Sequence, residues 1–320
     1  MEISVRQICI KPHHMKPLIT NGIVLVSHLN AFSAEKLSKK IKLSRDECEE
    51  ILTAIKPKRS HYVMKASELM VEPFDKISTT ILGLDESLAG GIRCGQITEL
   101  SGEAGAGKSN LCAQIGVLVM MSRKQARLQG LNGGNESTVL LIHTEGEGKL
   151  KLTIKRFKTL ATSMASEDIV SERLHVMNCS SEFELVEMVN RLKETLTTIP
   201  NVKLVIIDSI TCAFIQLDGD IDRRFYARRS KRLTEMMKVL VQVAWDSRIA
   251  VLVTNHVSFN ARLGEVRPAM GRHWSHMCQT KIYLGRKGGG SDVTRFAHVT
   301  KGAINTPEIA QFRISDRIEI

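Results

Sequence analysis

The chain has 320 residues, 43% of them apolar, and a formal net charge of +11. That length and apolar share suit an ordinary globular protein with one large α/β domain and a small second one. No apolar run approaches the about 18 residues of a membrane-spanning helix, and 1–10 lacks the apolar core of a secretory signal, so the expectation is a soluble, intracellular protein that spans no membrane. Seven cysteines stand singly with no C-x-x-C pair, which argues for reduced thiols without a disulfide framework or a zinc site. The positive charge suggests a polyanionic partner, but by itself it leaves nucleic acid, a membrane surface and a merely solvated basic face open.

Residues 1–30 include Lys11-Pro-His-His14 and the apolar run Ile23-Val-Leu-Val26 and yield no assignment. From 33 to 56 the pattern predicts two short helices: Ser33 caps one carrying Leu37 and Ile41, and Ser44 with Glu47 makes a capping box ahead of Ile51, Leu52 and Ile55. Two such helices need something further to pack against. Pro57 stops the second, and 57–76 mixes basic, polar and apolar residues without a period, which reads as a linker. The expected division is a small helical N-terminal region at 1–56, a linker at 57–76 and an α/β core at 77–320.

Within that core strand and helix signals alternate. Strands are expected at 96–100, 138–143, 173–177, 202–208 and 249–254. A helix from 108 carries Leu111, Ile115, Leu118 and Val119 on one buried face. Another, from Ser181, has a capping box with Glu184 and a stripe of Leu185, Val189, Leu192 and Leu196, and a third carries Leu233, Met237, Leu240 and Ala244. This order predicts a mostly parallel sheet flanked by helices. Three later runs, 281–285, 294–300 and 311–315, lack intervening helices and extend the sheet as antiparallel hairpins, with Gly288-Gly-Gly290 a turn between two of them.

The chemistry sits at strand ends. Gly102, Glu103, Ala104, Gly105, Ala106, Gly107, Lys108 and Ser109 fit the phosphate-loop pattern G-x-x-x-x-G-K-[ST], with a strand before and a helix after. Glycines let backbone N–H groups turn toward phosphate oxygens, Lys108 offers a point charge, and Ser109 offers a hydroxyl to Mg²⁺. The pattern predicts a nucleoside triphosphate with Mg²⁺. Leu204-Val-Ile-Ile-Asp208 ends in a carboxylate placed to hold the metal through water. Glu145, closing Val139-Leu-Leu-Ile-His-Thr-Glu145, lies at the same sheet edge and can polarise an attacking water. Glu147, two residues on, is the carboxylate it can be mistaken for.

These pieces, with Ile77-Ser-Thr-Thr-Ile-Leu-Gly-Leu-Asp-Glu-Ser-Leu-Ala-Gly-Gly-Ile92 leading into Gly95-Gln-Ile-Thr-Glu-Leu-Ser-Gly102, resemble the RecA/RadA recombinases over about residues 77–315, and the eukaryotic branch in particular. The resemblance implies a RecA-like P-loop ATPase core with ATP and Mg as cofactors, Glu145 and Lys108 as catalytic residues and Asp208 at the metal site. It departs in three places. His256, in Val253-Thr-Asn-His-Val257, stands where the family has a glutamine that senses the γ phosphate. An aromatic residue and an arginine are missing after Glu145. The family's self-assembly motif F-x-x-A aligns with Val63-Met-Lys-Ala66, where valine fills an aromatic pocket poorly. These departures are similar to those of the recombinase paralogues, including the X-ray-repair cross-complementing type, which assist the main recombinase filament.

The resemblance further implies a nuclear DNA-repair protein acting on single-stranded DNA in hetero-oligomers with other recombinase paralogues and the main recombinase. Two DNA loops correspond to about 217–227, running into Arg228-Arg-Ser-Lys-Arg232, and to 257–274. Candidate DNA contacts are Arg223, Arg224, Arg228 and Arg229, with Phe225 and Tyr226 between them, and in the second loop Arg262, Arg267, Arg272, His273 and Trp274. The solvated face of a helix explains Arg228–Arg232 equally well. Lys301 corresponds to a residue that reaches a neighbour's γ phosphate, or is a surface lysine. Two other functional classes stay open: a scaffold that nucleotide locks, with incidental hydrolysis, and a RecA-fold ring motor.

Overall fold

A computed structural model describes residues 10–29, 32–55, 74–131, 133–214, 223–260, 265–288, 293–302, 309–314 and 318–319. The chain divides into two compact units, Met1–Pro73 and Phe74–Ile320. The expected linker at 57–76 falls mostly outside the described residues.

The first unit contains α1 (Pro12–Thr20), α2 (Val26–Leu29), α3 (Ala34–Ile41) and α4 (Arg45–Ile55). Leu18, Ile23, Leu29, Leu37, Ile41, Cys48 and Ile51 form its core, so α1 and α2 supply the surface that the two expected helices needed. Pro17 inside α1 breaks the helical pattern in the sequence, which is why this helix gave no signal. Ser33 accepts from Lys36 N, and Ser44 and Glu47 close the expected capping box, with Ser44 N donating to Glu47 Oε2 at 2.9 Å and Glu47 N to Ser44 Oγ at 3.2 Å.

The second unit opens with β1 (Lys76–Ile77), α5 (Leu82–Ser87) and β2 (Ile92–Arg93), where β1 and β2 pair antiparallel. There follow β3 (Ile97–Gly102), α6 (Lys108–Met120), α7 (Arg123–Leu128), β4 (Thr138–His143), α8 (Glu147–Met164), α9 (Asp168–Arg173) and β5 (Leu174–Asn178). Next come α10 (Glu182–Asn190), α11 (Leu192–Thr198), β6 (Val202–Asp208), α12 (Ile210–Phe214), α13 (Arg223–Ser247) and β7 (Ala250–Asn255). The chain then forms the hairpin β8 (Val257–Asn260) and β9 (Glu265–Pro268), then α14 (Gly271–Met277), β10 (Thr280–Lys287), β11 (Thr294–Lys301), β12 (Ile309–Ile314) and β13 (Ile318–Glu319).

The main sheet runs β13-β12-β11-β10-β3-β7-β6-β4-β5. From β10 to β5 every pairing is parallel, and from β10 to β13 every pairing is antiparallel, as the helix-free run of late strands requires. Side chains of one strand go alternately to two cores. On β6, Leu204 and Ile206 pack with α6, α8 and α9 on one face, while Val205 and Ile207 pack with α10 to α14 on the other. The fold is therefore a three-layer, RecA-like α/β core.

Three local expectations change. The helix α6 is buried around most of its circumference because α8, whose apolar positions are diluted by lysines, covers its outer side, with Phe157 against Gly116. The stripe 185–196 is carried by two helices broken at Arg191. Glu184 reaches back to Ser180 N at 2.8 Å, one residue before the cap, so the α10 cap is Ser181 accepting from Glu184 N without the reciprocal bond.

Candidate nucleotide site

β3 delivers Gly102 to the C-terminal edge of the sheet, and α6 begins at Lys108. A side chain on Gly102 would collide with the Leu284 carbonyl oxygen on β10, and one on Gly107, at φ +103°, would lie 2.6 Å from Ile314 Cδ1. Gly107 is also the N-cap of α6, and no side chain caps that end among the described residues. Its first-turn N–H groups therefore suit an anion, the chemistry of a phosphate. Ala106 is buried, while Glu103, Ala104 and Gly105 form the exposed lip. Lys108, 7% exposed, folds back onto the loop, donating to the carbonyls of Gly102 at 2.7 Å and Glu103 at 2.9 Å. Burial lowers its pKa, and the charges of Asp208 and Glu145 oppose that shift, so these three groups share one electrostatic neighbourhood. Ser109 is half-buried in the first turn of α6.

Asp208 ends β6, buried, and its Oδ1 accepts from Thr254 Oγ1 of β7 at 2.6 Å. Glu145 follows β4. Thr144 ties the two strand ends together, its Oγ1 donating to Ser209 O at 2.6 Å and accepting from Ser209 N at 3.0 Å. Glu145 Oε1 faces His256 Nε2 at 3.5 Å, with Ser209 Oγ and Cys212 Sγ each donating to it at 3.4 Å. Its Oε2 pairs with Lys149 Nζ at 3.0 Å. His256, opposed by burial and helped by Lys149 and Cys212, holds the Glu145 carboxyl well below the usual carboxylate range. Contacts with Cys212 and then Glu145 raise His256 to about 9, so it carries charge at neutral pH. Glu147 is exposed in the first turn of α8, outside this cluster.

Behind His256 lies a buried polar chain. His256 N donates to Thr211 Oγ1 at 2.9 Å, and Thr211 Oγ1 donates to Asn255 Oδ1 at 2.6 Å. Asn255 Nδ2 then donates to Glu99 Oε1 at 2.6 Å, which also accepts the Trp274 indole N–H at 2.9 Å, while Lys281 Nζ pairs with Glu99 Oε2 at 3.1 Å. Trp274 is fully buried, which corrects its expected place in a DNA loop: the indole anchors α14 to β3 instead of being presented to bases. The stretch 257–274 holds the hairpin β8–β9 and the start of α14.

The basic candidates are placed unevenly. Arg223 and Arg224 begin α13 and Arg272 lies in α14, with their side chains outside the described set. Arg228 is exposed, Arg229 is half-buried, and Arg232 pairs with Glu182 at 3.0 Å. Leu233 and Met237 of the same helix are buried, so this part of α13 has a solvated basic face over an apolar one. Val63 and Ala66 lie outside the described residues. Lys301 is exposed, and its Nζ donates to the carbonyls of Cys278 at 2.7 Å and His276 at 3.1 Å.

Several site neighbours escaped the sequence reading. Arg295 Nε donates to Gly105 O at 3.4 Å and Arg286 lies 3.9 Å from Glu103, bringing two cations from β11 and β10 to the loop. Neither carries a local motif, because only the sheet order brings them there. Thr254 and Cys212 escaped for the same reason, although Thr254 stands two residues before His256.

The Rad51 family profile matches residues 72–317. A mouse protein named DNA repair protein RAD51 homolog 2 is 26% identical, with 99% of this chain and 90% of the mouse protein covered. The DNA repair and recombination protein RadA of Aeropyrum pernix is also 26% identical, over 89% of this chain and 86% of its own. With the loop, the strand-end carboxylates and the sheet order in place, the profile match over most of its length shows that this chain belongs to the Rad51 family.

Proposed function

We propose that this chain is an ATP-binding recombinase paralogue that serves DNA recombination and repair, binds single-stranded DNA, and works in the nucleus in hetero-oligomers with other recombinase-fold proteins. The observation that carries the reading is the convergence of an uncapped helix start, Lys108, Asp208 and Glu145 at one sheet edge. The names of the mouse and archaeal relatives support repair and recombination as the process.

In this reading the amides of Gly105 to Ser109 and the Lys108 ammonium hold the triphosphate tail. Ser109 and, through water, Asp208 would hold a divalent metal, Mg²⁺ in this reading, which would neutralise phosphate charge when bound. Glu145 orients the attacking water, and His256 responds to the γ phosphate by exchanging its contact with Glu145. Arg223, Arg224, Arg228, Arg229 and Arg272 neutralise DNA phosphates. Lys301 and the segment with Val63 and Ala66 belong to subunit contacts, and 1–56 is a separate helical domain joined through 57–76.

Calorimetry with Mg·ATP on the full chain, alone and with a co-purified recombinase-fold partner, tests the reading. Heat of association abolished by Lys108→Ala is expected, and no heat in either setting rejects it. Single-stranded DNA binding is expected to weaken with salt, with a shallower log–log slope for Arg228→Ala by about 0.7.

A second reading draws on one observation, the three-sided hold on Glu145 by His256, Lys149 and Cys212. A carboxylate so held is a weak proton acceptor, which fits a nucleotide-locked scaffold with slow, incidental turnover. If repair in cells survives Glu145→Gln but not Lys108→Ala, the scaffold form is the right one.

A further inference from the structure

We propose that the N-terminal helical unit binds a divalent transition metal, zinc by its ligand chemistry, on His13 Nε2, His14 Nε2 and Glu47 Oε1, joining the first turn of α1 to the first turn of α4. One ligand atom from each of the three residues lies within 4.8 Å of the others. His14 Nε2 is 3.6 Å and His13 Nε2 is 3.7 Å from Glu47 Oε1. Zinc bonds of about 2.0–2.2 Å in tetrahedral geometry set such atoms roughly 3.3–3.5 Å apart, so the two histidine–glutamate pairs need only a small closure, and a water would fill the fourth position.

The buried histidine makes the case. His14 has a side chain 1% exposed, and neither ring nitrogen has a hydrogen-bond partner. Buried polar atoms without partners are rare and call for a ligand, a water or a functional cost. A metal on Nε2 removes one of the two orphans at the side where Glu47 already waits.

Glu47 is prepared for the role by its cap. Its Oε2 accepts from Ser44 N at 2.9 Å and Ser44 Oγ at 2.7 Å, which fixes the carboxylate plane and leaves Oε1 for the imidazoles. Beside it Lys11 Nζ meets Glu50 Oε2 at 2.8 Å, a second tie between the approach to α1 and α4.

Two imidazoles and one carboxylate select a borderline cation over Mg²⁺ or Ca²⁺, which prefer all-oxygen sets. Among the described residues the core of this unit is seven buried side chains, a scale at which a metal staple adds materially to stability. Cysteine spacing gives no hint of the site, because its ligands are histidines and a carboxylate far apart in sequence. A second cluster of suitable type among the described residues, Glu145, Cys212 and His256, belongs to the nucleotide site and contains a thiol, which makes the two spectroscopically separable.

The test is titration of the tag-free, chelator-treated full chain with Zn²⁺ by calorimetry and with Co²⁺ by absorption. One zinc site is expected, retained in Cys212→Ser, with cobalt showing visible d–d bands and no near-ultraviolet thiolate charge transfer. His14→Asn abolishes it. His13→Gln alters an exposed side chain, is expected to leave the metal-free fold intact, and weakens binding at least about tenfold. Zinc binding that His13→Gln leaves unchanged, absent zinc binding, or a single site lost in Cys212→Ser overturns the proposal.

Discussion

Four neighbours crowd the Glu145 carboxylate, and most of its chemistry follows from them. His256 and Lys149 stabilise its ionised form, so it orients water better than it removes a proton. Glu145→Gln is expected to keep Mg·ATP affinity and to lower single-turnover hydrolysis by about 100-fold or more. His256 gives a pH signature. Its folded-state pKa of about 9 lies above the ordinary 6.5, so the stabilisation from Cys212 and Glu145 is complete below about pH 6.5 and is lost as pH rises through about 9. Urea unfolding of the wild type and His256→Gln should therefore show a stability gap that is widest near about pH 6 and closes by about pH 10. A gap that widens with rising pH contradicts the ion pair.

Helices answer to their ends and their neighbours differently. Ser181 caps α10 through Glu184 N at 3.2 Å, and Ser181→Ala is expected to cost about 1 kcal/mol in urea unfolding. That cap was legible because it depends on residues three apart. The fully buried α6 was not: its expected single face came from Leu111, Ile115, Leu118 and Val119, while Gly116 and Ala113 carried no apolar bulk to mark the other side. A Cβ at Gly116 would stand 2.7 Å from Phe157 Cε1, so Gly116→Val forces α6 and α8 apart. Overpacking of this kind is expected to destabilise by about 1–3 kcal/mol, read as a lower Tm. The Lys-rich surface of α8 diluted its apolar positions Phe157, Leu160, Ala161 and Met164, and so it went unpredicted.

Across the whole molecule, one buried polar network links strands from opposite ends of the sequence. Glu99 on β3 meets Asn255 on β7, Trp274 on α14 and Lys281 on β10, the ion pair being 6% and 0% exposed on its two sides. Breaking such a pair leaves a buried charge uncompensated. Lys281→Met alone is expected to cost about 3–5 kcal/mol in urea unfolding, and Glu99→Gln combined with Lys281→Met to recover much of that. A double substitution as damaging as the single one shows that the pair itself stabilises the junction of β3 and β10. The network runs through Thr211 to His256, so changes at Glu99 are also expected to alter nucleotide affinity through the position of the β7 end.

Neighbouring residues alone specify the parallel-then-antiparallel character of the sheet, the phosphate loop and the two strand-end carboxylates: a local period, a glycine pattern, an apolar run ending in an acid. Tertiary structure alone decided that Cys212 and His256 close on Glu145, that Thr254 holds Asp208, that Trp274 turns inward to Glu99, and that His14 faces Glu47 without a hydrogen-bond partner. Those contacts join residues dozens to nearly two hundred positions apart. Their distances depend on which strands lie side by side and which helix covers which, and no short window of sequence carries that information.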